Sequence, residues 1–238
     1  MALSLRGTAN ASINGTSKIS VTLPVGVAEN DVVYFAFVIG SNSNLDLLLD
    51  TSGYTELVDI ARTDDSLDVN LGVFRKIQSA TPDSVVTASH QNNVDKAGCV
   101  HVWTGADTTT PEDATSTTAS GFNGGTANPP SITTVTTNAI VLAIGGSSEP
   151  DTVTNPPTNY SNLDGALNSA TANPQAVWVS SRLIVSAGSE NPGSYADISG
   201  DINDSWCAAT VAIRPAAEAA TSILRQMLSH GLFVGSYT

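Results

Sequence analysis

Apolar residues along this chain fall into short runs and alternating stretches that are separated by turn residues. One run, 32–39, contains only apolar residues and is opened by Asp31 and closed by Gly40 and Ser41. A run this short and rich in Val and aromatic residues is typical of a strand buried on both faces, although periodicity alone also allows a buried helical segment. We therefore predict that it forms the central strand of a sandwich.

Alternation of apolar and polar residues predicts further strands. The segment 18–24 alternates, and the stretch 67–77 does so most clearly, with Asp68 on its polar face. Residues 45–49 fit either a helical turn or a loop that enters the core. Other strand-like stretches are 54–58, 85–89, 98–103, 132–135, 139–144, 176–180, 183–185 and 206–213. The whole pattern predicts an all-β protein, an antiparallel two-sheet sandwich.

The order of strands in the first half recurs in the second half. Tyr54 corresponds to Tyr160 and Cys99 to Cys207, at separations of 106 and 108 residues. Two organisations fit such a repeat: two stacked Ig-like domains, or two half-sets of strands folded into one larger sandwich. Each half offers only a few convincing strands, so we favour one sandwich domain over residues 1–215.

The segment 106–130 interrupts the strand pattern. It consists of Thr, Ser, Gly, Asn and Pro with almost nothing apolar except Phe122. A stretch of this length without structure of its own is either a linker or an excursion that serves contacts outside the domain. We therefore expect a long loop here, inside the sandwich domain.

Residues 216–238 differ in character from the rest of the chain, and we call them the arm. The part 216–230 is made of strong helix formers, and Gly231 stands where a helix commonly ends, which predicts a helix of about four turns. The arm either packs on its own sandwich or docks on a neighbouring subunit, and we favour docking. The expected interaction residues are Ile223, Leu224, Met227, Leu228, Leu232 and Phe233.

Composition limits the classes of partner. The chain has 22 acidic and 9 basic residues and a net charge of -13, a field that repels phosphate backbones, so we expect no nucleic-acid partner. No apolar stretch approaches the roughly 18 to 20 residues of a membrane span, and residues 1–6 lack the features of a secretion signal. We therefore expect no membrane partner.

Cysteine and histidine positions suggest little chemistry. Cys99 and Cys207 are too few for a disulfide framework and lie in apolar stretches, so we expect buried free thiols, with a bridge between them as the alternative. His90, Cys99 and His101 offer three zinc ligands, but a fourth is not evident. We expect no metal and no cofactor.

Three further patterns favour structural interpretations over chemical ones. The acidic group Asp59, Asp64, Asp65 and Asp68 lacks the spacing of a calcium loop, and no Gly-x-Ser-x-Gly elbow marks a hydrolase, so we expect no catalytic residues. A sugar-stacking platform is conceivable, but the aromatic residues fall mostly within strands, which favours core packing. The tryptophans concerned are Trp103, Trp178 and Trp206.

Five motifs together resemble a β-sandwich module of tailed-bacteriophage structural proteins. They are the strand 31–38, the turn Gly53-Tyr54, the strand 71–76, the aromatic-x-Gly-x-Asp ending at 103–107 and the last strand 209–215. The resemblance covers roughly residues 16–215. It implies a single jelly-roll-like sandwich located in the virion, without distinguishing head from tail, and it carries no catalytic residues.

The leading functional expectation is a non-enzymatic virion structural protein, either a head decoration or head-associated subunit or a tail component. Such a protein would act through self-association and docking on other virion proteins. The alternative is a carbohydrate-binding or adhesin module in which exposed loops and aromatic residues meet a glycan. A weaker third class is a calcium-dependent or hydrolytic enzyme. An exposed aromatic cleft would favour the second class, and buried tryptophans the first.

Overall fold

The computed structural model describes residues 2–63, 68–122, 126–149, 152–168, 174–197 and 205–217. These residues form strands and irregular segments and no helix, which confirms the all-β prediction, while the arm beyond residue 217 lies outside the described residues. The strands are β1 (Ser4–Thr22), β2 (Val32–Ile39), β3 (Leu48–Leu49), β4 (Thr55–Arg62), β5 (Val69–Ile77), β6 (Val85–Thr104), β7 (Glu112–Gly121), β8 (Ile132–Thr133), β9 (Ala139–Ser147), β10 (Val153–Asn155), β11 (Ser161–Asn168), β12 (Gln175–Ile184), β13 (Ser189–Glu190), β14 (Ala196–Asp197) and β15 (Trp206–Ile213).

Most strands belong to two antiparallel sheets. The first sheet has the order β1-β6-β2-β5-β4, with β3 paired to β6, and the second has the order β11-β12-β9-β15-β7. Two short ladders, β10 with β14 and β13 with β8, lie outside them. Every residue of β2 is buried, and β2 is paired on one side with β6 and on the other with β5. The prediction of a central strand at 32–39 is confirmed.

The two sheets repeat the same strand order. Each strand of the first sheet has an equivalent in the second sheet. The equivalent pairs are β1 and β7, β2 and β9, β4 and β11, β5 and β12, and β6 and β15. Cys99 and Cys207 therefore lie on equivalent strands, β6 and β15, but not in the same register, because Cys99 lies opposite Ala36 and Cys207 opposite Gly146. The repeat read from the sequence is thus a repeat of sheets, each built by one half of the chain.

The two sheets share one layer of buried apolar side chains. One face of β2 contributes Val32, Tyr34 and other side chains, and β9 and β15 contribute from the opposite side. Both cysteines lie in this layer and are free thiols. The arrangement is consistent with a β-sandwich. That residues 1–215 fold cooperatively as one domain stays a prediction.

The other face of the first sheet is covered by its own strands. β1 and β6 pair along most of their length, with irregular register between Ile13 and Lys18, and residues 18–22 pair with residues 85–89 beyond this irregularity. Ile19 and Val86 from this continuation pack with the side chains of β2 that point away from the shared layer. The sheet curls on itself, as bulges in long strands allow.

The prediction of a long loop at 106–130 is wrong for residues 112–121. Residues Glu112–Gly121 form β7, the edge strand of the second sheet, which pairs with β15. Strand pairing uses backbone groups, so a segment of Thr and Ser without an apolar core face can still complete a ladder at an edge. The separate stretches 85–89 and 98–103 likewise belong to one strand, β6.

The expected polar face of the 67–77 stretch is not a solvent-facing surface. Asp68 is only 2% exposed and Asn70 is fully buried. The Asn70 side chain accepts a hydrogen bond from the Leu45 amide at 3.0 Å and donates one to the Ser41 carbonyl at 3.2 Å, so the chain at 41–47 covers this face. Alternation alone cannot reveal that a following segment returns to bury the polar side of a strand.

Candidate functional site

A groove lies where the edges of the two sheets meet. β1 is an edge strand of the first sheet and β11 of the second, and the ladder β10 with β14 lies nearby. The cavity has a volume of about 550 Å³, within the range of small-molecule sites. We call it the edge groove; its polar lining comes from Asn10, Ser12, Thr152, Thr154 and Asp164, and Trp178 contributes an aromatic wall.

Side chains connect the two edges of the groove. Asn10 Nδ2 donates a hydrogen bond to Asp164 Oδ1 at 2.7 Å, and Asn168 Nδ2 donates one to the Ile13 carbonyl at 2.6 Å. Asp164 Oδ1 also accepts from the Gly165 amide at 2.8 Å. One oxygen of the carboxylate is thus fixed in place by two donors, while Asp164 Oδ2 makes no hydrogen bond with the described residues.

Gly165 lets the backbone of β11 approach the aromatic wall. A Cβ atom at this position would lie 2.4 Å from the Val177 carbonyl oxygen and 2.7 Å from Cδ1 of Trp178. Trp178 is in turn packed against Tyr195, with ring centroids 6.0 Å apart. The indole is therefore held by packing, and only 5% of Trp178 is exposed.

The groove carries negative charge. Among its described lining residues, Asp164 is the only charged side chain, and the rest of the polar lining is amide and hydroxyl groups. With a net charge of -13 over the whole chain, an anionic ligand would meet repulsion here. The lining instead offers hydrogen-bond donors and acceptors to a neutral polar molecule.

A buried histidine lies behind the groove. His101 is fully buried, and neither ring nitrogen has a hydrogen-bond partner of acceptable geometry. Burial lowers the pKa of His101 to about 4, against smaller opposing effects of Asp164 and of the Val179 backbone. Burial also raises the pKa of the Cys99 thiol well above its usual range, with Asp164 adding to the shift. Both groups are therefore neutral at pH 7.

The three residues weighed as zinc ligands do not converge. Cys99 and His101 are both buried along β6, whereas His90 lies beside Leu45 and Leu48 at another pocket. The carboxylates that do converge in the described part of the chain belong to Asp46, Glu56 and Asp59, whose ligand atoms lie within 4.8 Å of one another. Zinc binding by these three residues, which the sequence analysis did not favour, gains no support from this geometry.

The predicted acidic group is divided in the structure. Asp64 and Asp65 lie outside the described residues, Asp68 is buried, and Asp59 is exposed beside Glu56. Burial, and then the charges of Asp59 and Asp46, raise the pKa of Glu56. This crowding shows mutual repulsion of the carboxylates, and exposed acidic clusters are common without a bound ion.

The remaining predicted residues have clear positions. Trp103 is 2% exposed and Trp206 is partly buried, so the three tryptophans do not form an open platform. The arm residues Ile223, Leu224, Met227, Leu228, Leu232 and Phe233 lie outside the described residues.

The sequence analysis did not single out Asn10, Asp164 or Gly165. Asn10 and Asp164 are 154 positions apart in the sequence. Each lies in a strand whose alternation of apolar and polar residues is weak. Only the dipeptide Asp164-Gly165 carried a local signal, and that signal predicts a turn rather than a site. Convergence of two sheet edges is a tertiary property.

No protein-family model, curated protein or solved structure matches this chain. In the described part of the chain, no helix is long and apolar enough to cross a membrane.

Proposed function

We propose that this chain is a non-enzymatic structural subunit of a tailed-phage virion, a head decoration, head-associated or tail component that acts by self-association and docking. The resemblance of its five motifs supports the virion location and the finer description of a jelly-roll-like sandwich, and the helix-forming composition of residues 216–230 supports a helical arm. The observation that carries the docking role is the way in which the end of β15 is attached to the sandwich.

The end of β15 is fixed to the end of β6. Ala106 and Pro215 form an isolated bridge, the Asp107 amide donates to the Arg214 carbonyl at 2.9 Å, and the Ala216 amide donates to the Gly105 carbonyl at 2.8 Å. Two of the five motifs, 103–107 and 209–215, therefore pair with each other. Among the residues that the structure describes, β15 is the last strand, which supports an arm that serves contacts outside the sandwich.

Charged side chains near this end serve structural roles. Asp113, which is 2% exposed, accepts hydrogen bonds from the Val135 amide at 2.7 Å and from Thr136 Oγ1 at 2.6 Å, and it pairs with Arg214 at 3.3 Å. Burial opposes ionisation, but these hydrogen bonds leave the pKa of Asp113 lowered. The end of β15 is therefore held by backbone hydrogen bonds and by the ion pair of Arg214 with Asp113.

Truncation tests the proposed docking role. Deleting residues 218–238 keeps Pro215 and Ala216 and their contacts with the end of β6. We expect light scattering to show an oligomer for the full chain and a monomer for the truncated chain, with the thermal midpoint nearly unchanged. A matched variant, Ile223→Asp with Leu228→Asp, should act like the deletion. A truncated chain that still assembles, or that loses several degrees of stability, would contradict the proposal.

Detection in particles tests the virion location. Purified virions of the phage whose genome carries this sequence should contain its tryptic peptides at the level of a structural protein. Absence of these peptides from intact particles would refute the location, and it would leave the assembly result to be explained otherwise.

A further inference from the structure

The geometry points to the edge groove as a binding site for a neutral saccharide. This inference does not depend on the virion proposal, because it rests on the shape and lining of the groove alone. Its first support is size, since a cavity of about 550 Å³ has room for a sugar ring with part of a neighbouring one.

The lining has the two kinds of surface that a saccharide presents. Hydroxyl groups of a sugar need donors and acceptors, which Asn10, Ser12, Thr152 and Thr154 supply together with Asp164. The C–H faces of the ring need apolar contact, which Val153, Leu163 and the accessible part of Trp178 supply.

Asp164 is positioned to recognise hydroxyl groups. Its Oδ1 is held by Asn10 at 2.7 Å and by the Gly165 amide at 2.8 Å, and its Oδ2 has no partner among the described residues. A carboxylate accepts short, charge-assisted hydrogen bonds, and two adjacent hydroxyl donors on one ring can share it. Because the carboxylate orientation is set before a ligand arrives, little ordering cost remains at binding.

Charge determines the class of saccharide. None of the described lining residues is Lys or Arg, so a sialic acid, a uronic acid or a phosphate would bring an uncompensated anion next to Asp164. A neutral sugar has no such penalty. The groove should therefore discriminate between neutral and acidic glycans of similar size.

Binding is measured with the full-length protein on an array of neutral and acidic glycans, followed by calorimetry with the neutral glycan that binds. Glucuronic acid and inorganic phosphate serve as anionic probes. We expect binding to a subset of neutral glycans and none to the anionic probes. Equal binding of acidic glycans, or no binding to any neutral glycan, would overturn the inference.

Variants locate the binding in the groove. Asp164→Asn keeps the shape of the side chain and the acceptor for Asn10, but it removes the charge, and should weaken binding about tenfold or more. Asp46→Asn removes one charge from an exposed carboxylate outside the groove and should leave the affinity unchanged. If both variants lose affinity equally, binding reflects net charge and the inference fails.

A third variant guards against loss of folding in Asp164→Asn. Ser12 is exposed at the rim of the groove, so Ser12→Arg should fold and fill the cavity. It should abolish binding of the neutral glycan while leaving the circular dichroism spectrum unchanged. Undiminished binding by folded Ser12→Arg would place the glycan elsewhere and overturn the inference.

Discussion

The two sheets have the same strand order but bury their outer faces by different means. The first sheet covers its outer face with its own strands, because β1 and β6 continue past the bulges and return over β2. The second sheet has no strand as long as β1 or β6, and its outer face is covered by Ala127, Tyr160 and Tyr195 from irregular segments and by Ile132 of the two-residue strand β8. The same topology therefore needs two different covers.

The chemistry of the two covers differs accordingly. In the first sheet the rings of Phe35 and Phe37 stack with centroids 5.4 Å apart, and Phe37 stacks on Phe74 at 5.8 Å. In the second, Tyr195 donates to the Ala143 carbonyl at 2.6 Å and lies 3.0 Å from Ser180 Oγ. A strand cover satisfies its backbone by pairing, whereas a loop cover must be anchored by side-chain hydrogen bonds.

Neither half should fold alone if the shared layer holds both sheets. A fragment of residues 1–107 would keep the first sheet and its strand cover, but it would expose the face that packs on β9 and β15. We expect an unfolded or aggregated product, because the exposed face would be largely apolar. The measurement is a two-dimensional NMR spectrum of the fragment. Well-dispersed signals would show that the first sheet is independent.

A charge buried beneath the strand cover of the first sheet should destabilise the fold nearly as much. Phe35→Asp places an unpaired carboxylate in the outer cluster of the first sheet, at a cost of several kcal/mol against a total stability of about 5 to 15 kcal/mol. Far-ultraviolet circular dichroism and thermal melting should show loss of the folded state. Val25→Asp, at a fully exposed apolar residue, is the control and should melt like the parent chain. Folding of Phe35→Asp would mean that the outer face is not a core.

His101 gives the first half a sensitivity to acid. The five strands of the second sheet contain no histidine. An unfolded histidine has a pKa near 6.5, and folded His101 has a pKa of about 4, so the unfolded state binds the proton first as the pH falls. The preference of folded His101 for its neutral form contributes up to about 3 kcal/mol to the free energy of unfolding. This contribution is fully present above about pH 6.5 and is lost as the pH falls from about 6.5 to about 4.

Urea unfolding at a series of pH values measures this loss. His101→Leu removes the titrating group and keeps an apolar volume, so its stability should depend less on pH over the same interval. The acidic groups that titrate below pH 5 are common to both chains and cancel in the comparison. Parallel pH profiles for the two chains would exclude His101 as the source of the acid sensitivity.

The smallest expected effect distinguishes the aromatic covers. Tyr195→Phe removes the hydroxyl that donates to Ala143, and we expect a loss of about 1 to 3 kcal/mol. Tyr54→Phe is the matched control in the first half, because the buried Tyr54 hydroxyl has no hydrogen-bond partner of acceptable geometry among the described residues. Chemical denaturation should show little change for Tyr54→Phe. Equal losses in both variants would indicate that the two covers do not differ in this respect.

The sequence by itself determined the strands whose side chains enter a core. β2, β9 and β15 are short apolar runs, and such runs are stable only when both faces are buried, so their position follows from composition. The repeat was also readable, since equivalent strands recur in the same order. In both the apolar runs and the repeat, the sequence showed which apolar side chains must be buried away from water.

The tertiary structure alone decided where polar residues lie. Asp68 and His101 are buried although their local patterns gave no reason for it, and β7 is a strand because β15 offers it an edge. The edge groove exists because β1 and β11 meet across the boundary of two sheets, which brings Asn10 to Asp164. Hydrogen bonds between residues so far apart in the sequence depend on how the sheets pack. Local periodicity carries no information on that packing, because it records only which residues avoid water.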